Sequence, residues 1–288
     1  MSFVALGAGT LRKMQVALGE PAEYHFRLDD QQVAMNPLLG QRIQLRHTGG
    51  IHCLACGRKT KKSFSQGYCY PCFTRLPECD RCIMAPEHCH FHAGTCRDEA
   101  WGERNCMTDH LVYLANSSGI KVGITRVSQV PTRWLDQGAT QALPILRVAT
   151  RQQSGLVEAI LREHVTDRTQ WQRMLKGVPE SQDLAAFREL LLQQCREPLQ
   201  ALQQQYGVQA IQPVYDVEPL QIDYPVRNYP LKVTALNLDK TPEIEGTLEG
   251  IKGQYLILDT GVINVRKYGA YQVELSAEAP AAKDLPAS

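Results

Sequence analysis

The 288 residues of the chain are enough for two or three domains with cores of their own. No apolar run approaches the roughly 20 residues that span a bilayer, and the apolar patch at Phe3 has no basic residues ahead of it, which argues against a membrane protein and against a secreted one. A formal net charge of +1 excludes a strongly basic or acidic chain overall, but it hides a segregation. Nine basic residues stand against four acids from Lys121 to Lys176, whereas Ala201 to Ser288 hold seven basic residues and eleven acids. The expectation is a cytoplasmic protein whose middle, rather than whole surface, binds a polyanion; ordinary surface charge is the bland alternative.

Residues 1–52 alternate apolar and polar in Tyr24-His25-Phe26-Arg27-Leu28 and in Arg42-Ile43-Gln44-Leu45-Arg46, which predicts strands of an antiparallel sheet. Arg42 and Arg46 share one face, read as a solvated face first and a nucleic-acid contact second. Nine of the ten cysteines then fall between Cys53 and Cys106. Cys53-x2-Cys56 and Cys69-x2-Cys72 are two turns that can each aim a pair of thiolates at one ion, and together they complete the tetrahedron of a structural zinc site. A redox or iron–sulfur site is the competing reading, and a reducing compartment disfavours disulfides. Between the turns lie Arg58, Lys59, Lys61 and Lys62, then Phe64, Tyr68 and Tyr70, with no acid from residue 53 to 75. This basic loop either offsets the charge of four thiolates or lies along phosphates while an aromatic stacks on a base.

The rest of the cluster is less regular: Cys79-x2-Cys82, Cys89, Cys96 and Cys106, with His88, His90 and His92 among them. A second zinc on Cys79, Cys82, Cys89 and Cys96 is expected, with His92 or Cys106 as replacements, making about two structural zinc ions per chain. A metal that used Cys106 would clamp this module directly to the core that begins near Asp109.

Two runs rich in β-branched residues, His110–Leu114 and Lys121–Thr125, flank Asn116-Ser117-Ser118-Gly119 and predict a hairpin. Pro131 and Gly138 bracket a short helix carrying Arg133, and residues 144–150 read as a third strand. Ser154 is the expected cap of a helix with Leu156, Val157, Ile160 and Leu161 on its apolar stripe and Glu158 off it.

That order of parts, with Tyr113 on the first strand, Lys121-Val122-Gly123 on the second, Arg133 on a short helix and Glu158 on a later one, resembles the GIY-YIG nuclease domain over Asp109–Gly177. Leu111 stands where that family's first motif has glycine, and Lys121 where its second usually has tyrosine. The run Glu158, His164, Trp171 is similar to the phage-type branch, and the whole chain resembles a bacterial family of unknown function that joins a cysteine-rich segment to such a core. The resemblance implies a phosphodiester-hydrolysing site. Glu158 would hold one Mg²⁺ or Mn²⁺, Arg133 would stabilise charge on the phosphate, and Tyr113 would position or help deprotonate the water. Gly123 would let the backbone approach substrate, and Thr125 would orient Arg133 or a phosphate. Lys121 would bind phosphate, or act as a base if its pKa were lowered. Each residue has a bland counterpart: a strand aromatic, an edge charge, an i,i+4 partner of Arg162 for Glu158, and a stem packed on Trp134 for Arg133.

After the core, helices are expected over Thr169–Lys176 and from a Ser181 cap onward, the latter interrupted at Pro198, with Cys195 as a small buried hydrophobe. The runs Leu231–Leu236, Gly246–Leu248, Gln254–Leu258, Val262–Val265 and Tyr271–Leu275, punctuated by glycines, predict a small curved sheet or barrel into which the first strands could pair. Ala277–Ser288 reads as a disordered tail. The expected fold class is α+β: an N-terminal β region (1–52), an inserted zinc-ribbon-like module (53–108), a small GIY-YIG-like αβ core (109–178), a helical connector (179–206) and a C-terminal β domain (207–276). Three functions compete: a divalent-metal-dependent endonuclease acting on DNA or RNA, a DNA- or RNA-binding protein that keeps the fold without hydrolysis, and a zinc-stapled interaction scaffold.

Overall fold

The computed structural model describes residues 2–279, an α+β chain in two compact units: a β-rich one from the stretch up to Cys72 together with that from Tyr224 onward, and a mixed one from Phe73–Asp223. In chain order the first unit supplies β1 (Phe3–Ala17), β2 (Glu23–Leu28), β3 (Gln31–Ala34) and β4 (Arg42–Ile51). The second supplies β5 (His110–Asn116), β6 (Ile120–Arg126), β7 (Gln141–Val148), β8 (Ile211–Pro213) and β9 (Leu220–Gln221). The first unit then resumes with β10 (Glu243–Lys252), β11 (Tyr255–Leu258), β12 (Gly261–Asn264) and β13 (Tyr271–Glu278).

In the first unit eight strands lie in the order β12-β11-β10-β4-β13-β1-β2-β3. The early strands do pair into the late ones, but the sheet is open rather than a barrel. Alternation fixes the faces: Ile43 and Leu45 are buried beside Ile244 and Leu275, while Arg42 and Arg46 point outward to Glu245 (2.5 Å) and Glu274 (2.9 Å). The arginines of β4 are thus a solvated, ion-paired face. Residues 231–236 form no strand. They exchange two backbone bonds with Val262 (both 2.8 Å), because their partner β12 has four residues, and Leu231 is left 97% exposed. Ala277 and Glu278 belong to β13, where they pair with Val4 and Phe3; the rest of the expected tail, 280–288, lies outside the described residues.

The helices are the single turn α1 (Tyr70–Phe73), then α2 (Glu99–Asn105), α3 (Thr132–Asp136), α4 (Arg151–Leu161), α5 (Trp171–Met174), α6 (Leu184–Gln194) and α7 (Arg196–Tyr206). Among the described residues no helix is long and apolar enough to cross a membrane. The second unit's sheet has the order β6-β5-β7-β8, with β9 also on β7. Val112, Leu114 and Val122 pack one sheet face against Val157 and Leu161 of α4 and against Leu184, Leu191, Cys195 and Leu199 of α6 and α7. Each such buried side chain stabilises by about 1.5–3 kcal/mol. The helices after residue 178 therefore belong to the core, as do β8 and β9 beyond residue 207.

Three helix starts differ from expectation. Thr150, not Ser154, caps α4, and it does so in a capping box with Gln153, whose amide oxygen accepts from Thr150 N–H (3.1 Å). Asp183, not Ser181, caps α6, since the Ser181 hydroxyl accepts from Gln141 (3.0 Å). Pro198 sits in the first turn of α7, where no N–H is required, and the break falls at Cys195. The expected helix Thr169–Lys176 shrinks to the single turn α5.

Candidate functional site

The cysteine-rich stretch divides between the units. Cys53 and Cys56 follow β4, where a positive φ at Gly57 (+70°) lets its N–H reach back to Cys53 O (2.8 Å). A hairpin closed by Phe64 and Tyr68 returns the chain to Cys69 and Cys72. The four sulfurs all lie within 4.8 Å of one another, with Cys56 and Cys69 3.7 Å apart. Zn–S bonds of about 2.3 Å define a tetrahedron with edges of about 3.8 Å, so the four cysteines are positioned to hold a metal such as zinc. Burial pushes the Cys53 thiol up, but N–H donors of Cys69, Cys56 and Ala55 outweigh it and bring it to about 6. The neighbouring Cys56 sulfur and burial push Cys72 to about 12. Unequal thiols in one cluster titrate as a set, and a cation is what lets all four ionise.

Arg58, Lys59, Lys61 and Lys62 are all exposed, and none forms an ion pair among the described residues. Lys62 lies over the Phe64 ring (5.4 Å), whose edge meets Tyr70 (5.5 Å), itself 60% exposed. A shallow groove of about 660 Å³ beside this loop is lined by Lys61, Lys62 and Lys267 with a single acid, Asp239.

In the second unit a narrow cavity of about 10 Å³ is lined by Cys82, Cys89, Cys96 and Cys106, with Asp80 and His90 at its wall. Cys106 rather than Cys79 faces it, and His92, turned edge-on to Phe91, does not.

The hairpin of the core sets Tyr113 opposite Gly123 and Ala115 opposite Lys121, so Tyr113, Lys121, Gly123 and Thr125 share the face turned away from the apolar core. The missing Cβ of Gly123 makes room for the tyrosine: a Cβ there would lie 2.7 Å from the Tyr113 ring and hydroxyl. Thr125 donates to Arg126 O (3.3 Å). Tyr113 is fully buried and packs edge-on against Trp134 (5.9 Å). Its hydroxyl donates to Gln137 Oε1 (2.9 Å), the same oxygen that accepts from Lys121 Nζ (2.8 Å). Gln137, which ends α3, carries no motif signal and was not foreseeable from the sequence.

Burial, with Glu158 adding to it, raises the Tyr113 pKa against the pull of Arg133. Burial first, then the Arg133 charge, lowers Lys121 to about 8. Burial likewise raises Glu158 to about 7, opposed by the charges of Arg162 and Arg133 and reinforced by Asp167 and Glu87. Arg162 is not the ion-pair partner of Glu158; it pairs with Asp167 (3.3 Å) and Glu87 (3.9 Å). Tyr113 and Lys121 are buried, Arg133 and Glu158 half-buried, and the Arg133 and Glu158 charges both act on Tyr113 and Lys121. His164 is exposed and Trp171 half-buried.

A family model described as "Protein of unknown function (DUF2797)" matches residues 40–273, well over half of the chain, and the chain belongs to that family. No curated protein and no solved structure matches it.

Proposed function

We propose that this member of a family of unknown function is a nucleic-acid-binding zinc protein whose core hydrolyses phosphodiester bonds with a divalent cation. The supporting observation is the oxygen of Gln137. It accepts at once from the Tyr113 hydroxyl and the Lys121 ammonium, beside the Arg133 guanidinium, as a phosphoryl oxygen of a substrate would. Glu158 is half-buried, unpaired among the described residues and held near pH 7 by desolvation, which suits a carboxylate awaiting a cation. Bound there, Mg²⁺ or Mn²⁺ would supply a Lewis acid for the leaving oxygen. Arg133 neutralises charge on the phosphate, Tyr113 orients Arg133, and Lys121, near 8, binds phosphate or takes a proton from water. The zinc-ribbon loop, with Arg58, Lys59, Lys61 and Lys62 exposed beside Phe64 and Tyr70, provides phosphate contacts and a stacking surface.

A second reading, binding without hydrolysis, is favoured by the burial of Tyr113 (0% exposed) and Lys121 (4%). Incubation with labelled single- and double-stranded DNA and RNA separates the two. The nuclease reading predicts shorter products that require Mg²⁺ or Mn²⁺, whereas retention of intact strands at every divalent concentration would leave the binding reading alone.

A further inference from the structure

We propose that Asp80 Oδ1, Cys82 Sγ and His90 Nε2 form a second metal site, for a single zinc-like divalent cation that staples together the turns of residues 77–93. This stretch is built from the 3-10 turns Pro77–Cys79, Arg81–Ile83, Pro86–His88 and Phe91–Ala93. Single turns carry few repeating backbone bonds, so a cross-link between their side chains adds most to such a stretch. Asp80 caps the second turn, Cys82 lies within it and His90 precedes the last, and their ligand atoms lie within 4.8 Å of one another. Neither Asp80 nor His90 belongs to the cysteine pattern from which the sequence predicts a second zinc, and Cys96 Sγ of that pattern donates instead to Asp98 O (3.3 Å).

The outer contacts of the histidine aim it at the site. Thr95 Oγ1 donates its one proton to His90 O (3.3 Å), so in its 2.8 Å contact with His90 Nδ1 the ring nitrogen is the donor. In the neutral ring Nε2 then carries a lone pair, and it faces Asp80 Oδ1 at 3.5 Å. Two lone pairs keep that arrangement only around a proton or a cation. A shared proton draws nitrogen and oxygen to about 2.7–3.2 Å, whereas ligands of a tetrahedral zinc, with bonds of about 2.0–2.1 Å, stand about 3.3 Å apart. Support of the second ring nitrogen is also what a metal-bound histidine requires. The carboxylate is anchored in the same way: Arg97 Nε holds Oδ2 (2.7 Å), and Arg97 Nη1 donates to Phe73 O (3.1 Å) and Leu76 O (3.0 Å). Oδ1, which accepts from Cys82 N–H at 3.4 Å, is left facing the histidine.

A carboxylate, a thiolate and a neutral imidazole balance a divalent cation, so the site buries no net charge. One ligand each of oxygen, sulfur and nitrogen suits zinc, whereas magnesium and calcium take oxygen ligands. The cavity of about 10 Å³ that Asp80, Cys82 and His90 help to line has room for about one water, which takes the fourth position.

The test is the zinc content of the full chain by mass spectrometry. The expected result is about two ions per chain, one lost in Cys53→Ser and the other in His90→Ala or Asp80→Asn, while Cys96→Ser and His92→Ala keep both. His90 is the most exposed of the three ligands, so its variant is the most tolerant of the change. Should it nevertheless fail to fold, Thr95→Val decides: it should give up the second ion to a competing chelator at about 10-fold lower concentration than the parent does. His90→Ala holding as much zinc as the parent would reduce Asp80 and His90 to an ordinary ion pair and overturn the site. A parent whose zinc is lost entirely in Cys53→Ser, or unaltered release in Thr95→Val, would overturn it as well. None of these measurements reads cleavage, so failure here is distinct from failure of the hydrolysis proposed for the core.

Discussion

Gln137 holds two buried donors with one oxygen, so its removal strands both the Tyr113 hydroxyl and the Lys121 ammonium. Gln137→Leu should cost about 2–4 kcal/mol in denaturant unfolding, because each buried donor left without an acceptor carries its own desolvation cost; a loss within experimental error would mean that water replaces the amide. Glu158 makes a pH-dependent prediction. Its folded pKa of about 7 exceeds the ordinary 4.5, so between those values the folded chain keeps a proton that the unfolded chain has released. Its contribution to stability is therefore present below pH 4.5 and lost as pH rises through 7. Glu158→Gln should gain about 1–2 kcal/mol above pH 7, after allowance for solvent screening, and nothing near pH 4. Mg²⁺ should raise the Tm of the parent at pH 8 but not that of the variant; equal shifts in both would place the cation elsewhere. Motif order marks Tyr113, Lys121, Arg133 and Glu158 in the sequence, and the hairpin register puts Tyr113 and Lys121 on one sheet face. Gln137 carries no such mark, since a glutamine at a helix end follows from packing alone, and the use Gly123 makes of its missing Cβ is visible only once the Tyr113 ring is in place.

At the scale of elements, the hairpin, the Arg133 helix and the Glu158 helix could be read from turn residues and periodicity, while helix starts could not be read as well. Thr150 lies one turn ahead of Ser154, and the reciprocal Thr150–Gln153 pair satisfies two N–H groups where Ser154 would satisfy one. Thr150→Ala should lower stability by about 1 kcal/mol, measured by thermal unfolding; an unchanged Tm would mean that packing against the cysteine segment alone fixes this helix end. The 15-residue β1 escaped notice because its glycines, threonine and lysine blur the alternation that its partners impose. The basic loop between Cys56 and Cys69 offers a separate test. Lys59, Lys61 and Lys62 replaced together by Ala should flatten the salt dependence of nucleic-acid binding by about 2–3 in log–log slope, and an unaltered slope would remove the loop from the contact.

Across the whole molecule, the sheet of the first unit interleaves the two ends of the chain, with β4 between β10 and β13 and β13 beside β1. Long-range pairing of this kind leaves no local signature, which is why a run of five modules along the sequence resolves into two units and why the cysteine-rich stretch divides between them. Each unit keeps one cysteine cluster, and the second keeps the four polar groups of the core. The claim that those four act together on a phosphodiester is tested most directly by comparing the parent chain with Glu158→Ala at equal concentration, scoring cleavage and binding of the same labelled strand in Mg²⁺. The account predicts divalent-dependent cleavage by the parent, a loss of at least about 100-fold in the variant, and binding that is unchanged; equal cleavage by both proteins, or none by either, would contradict it.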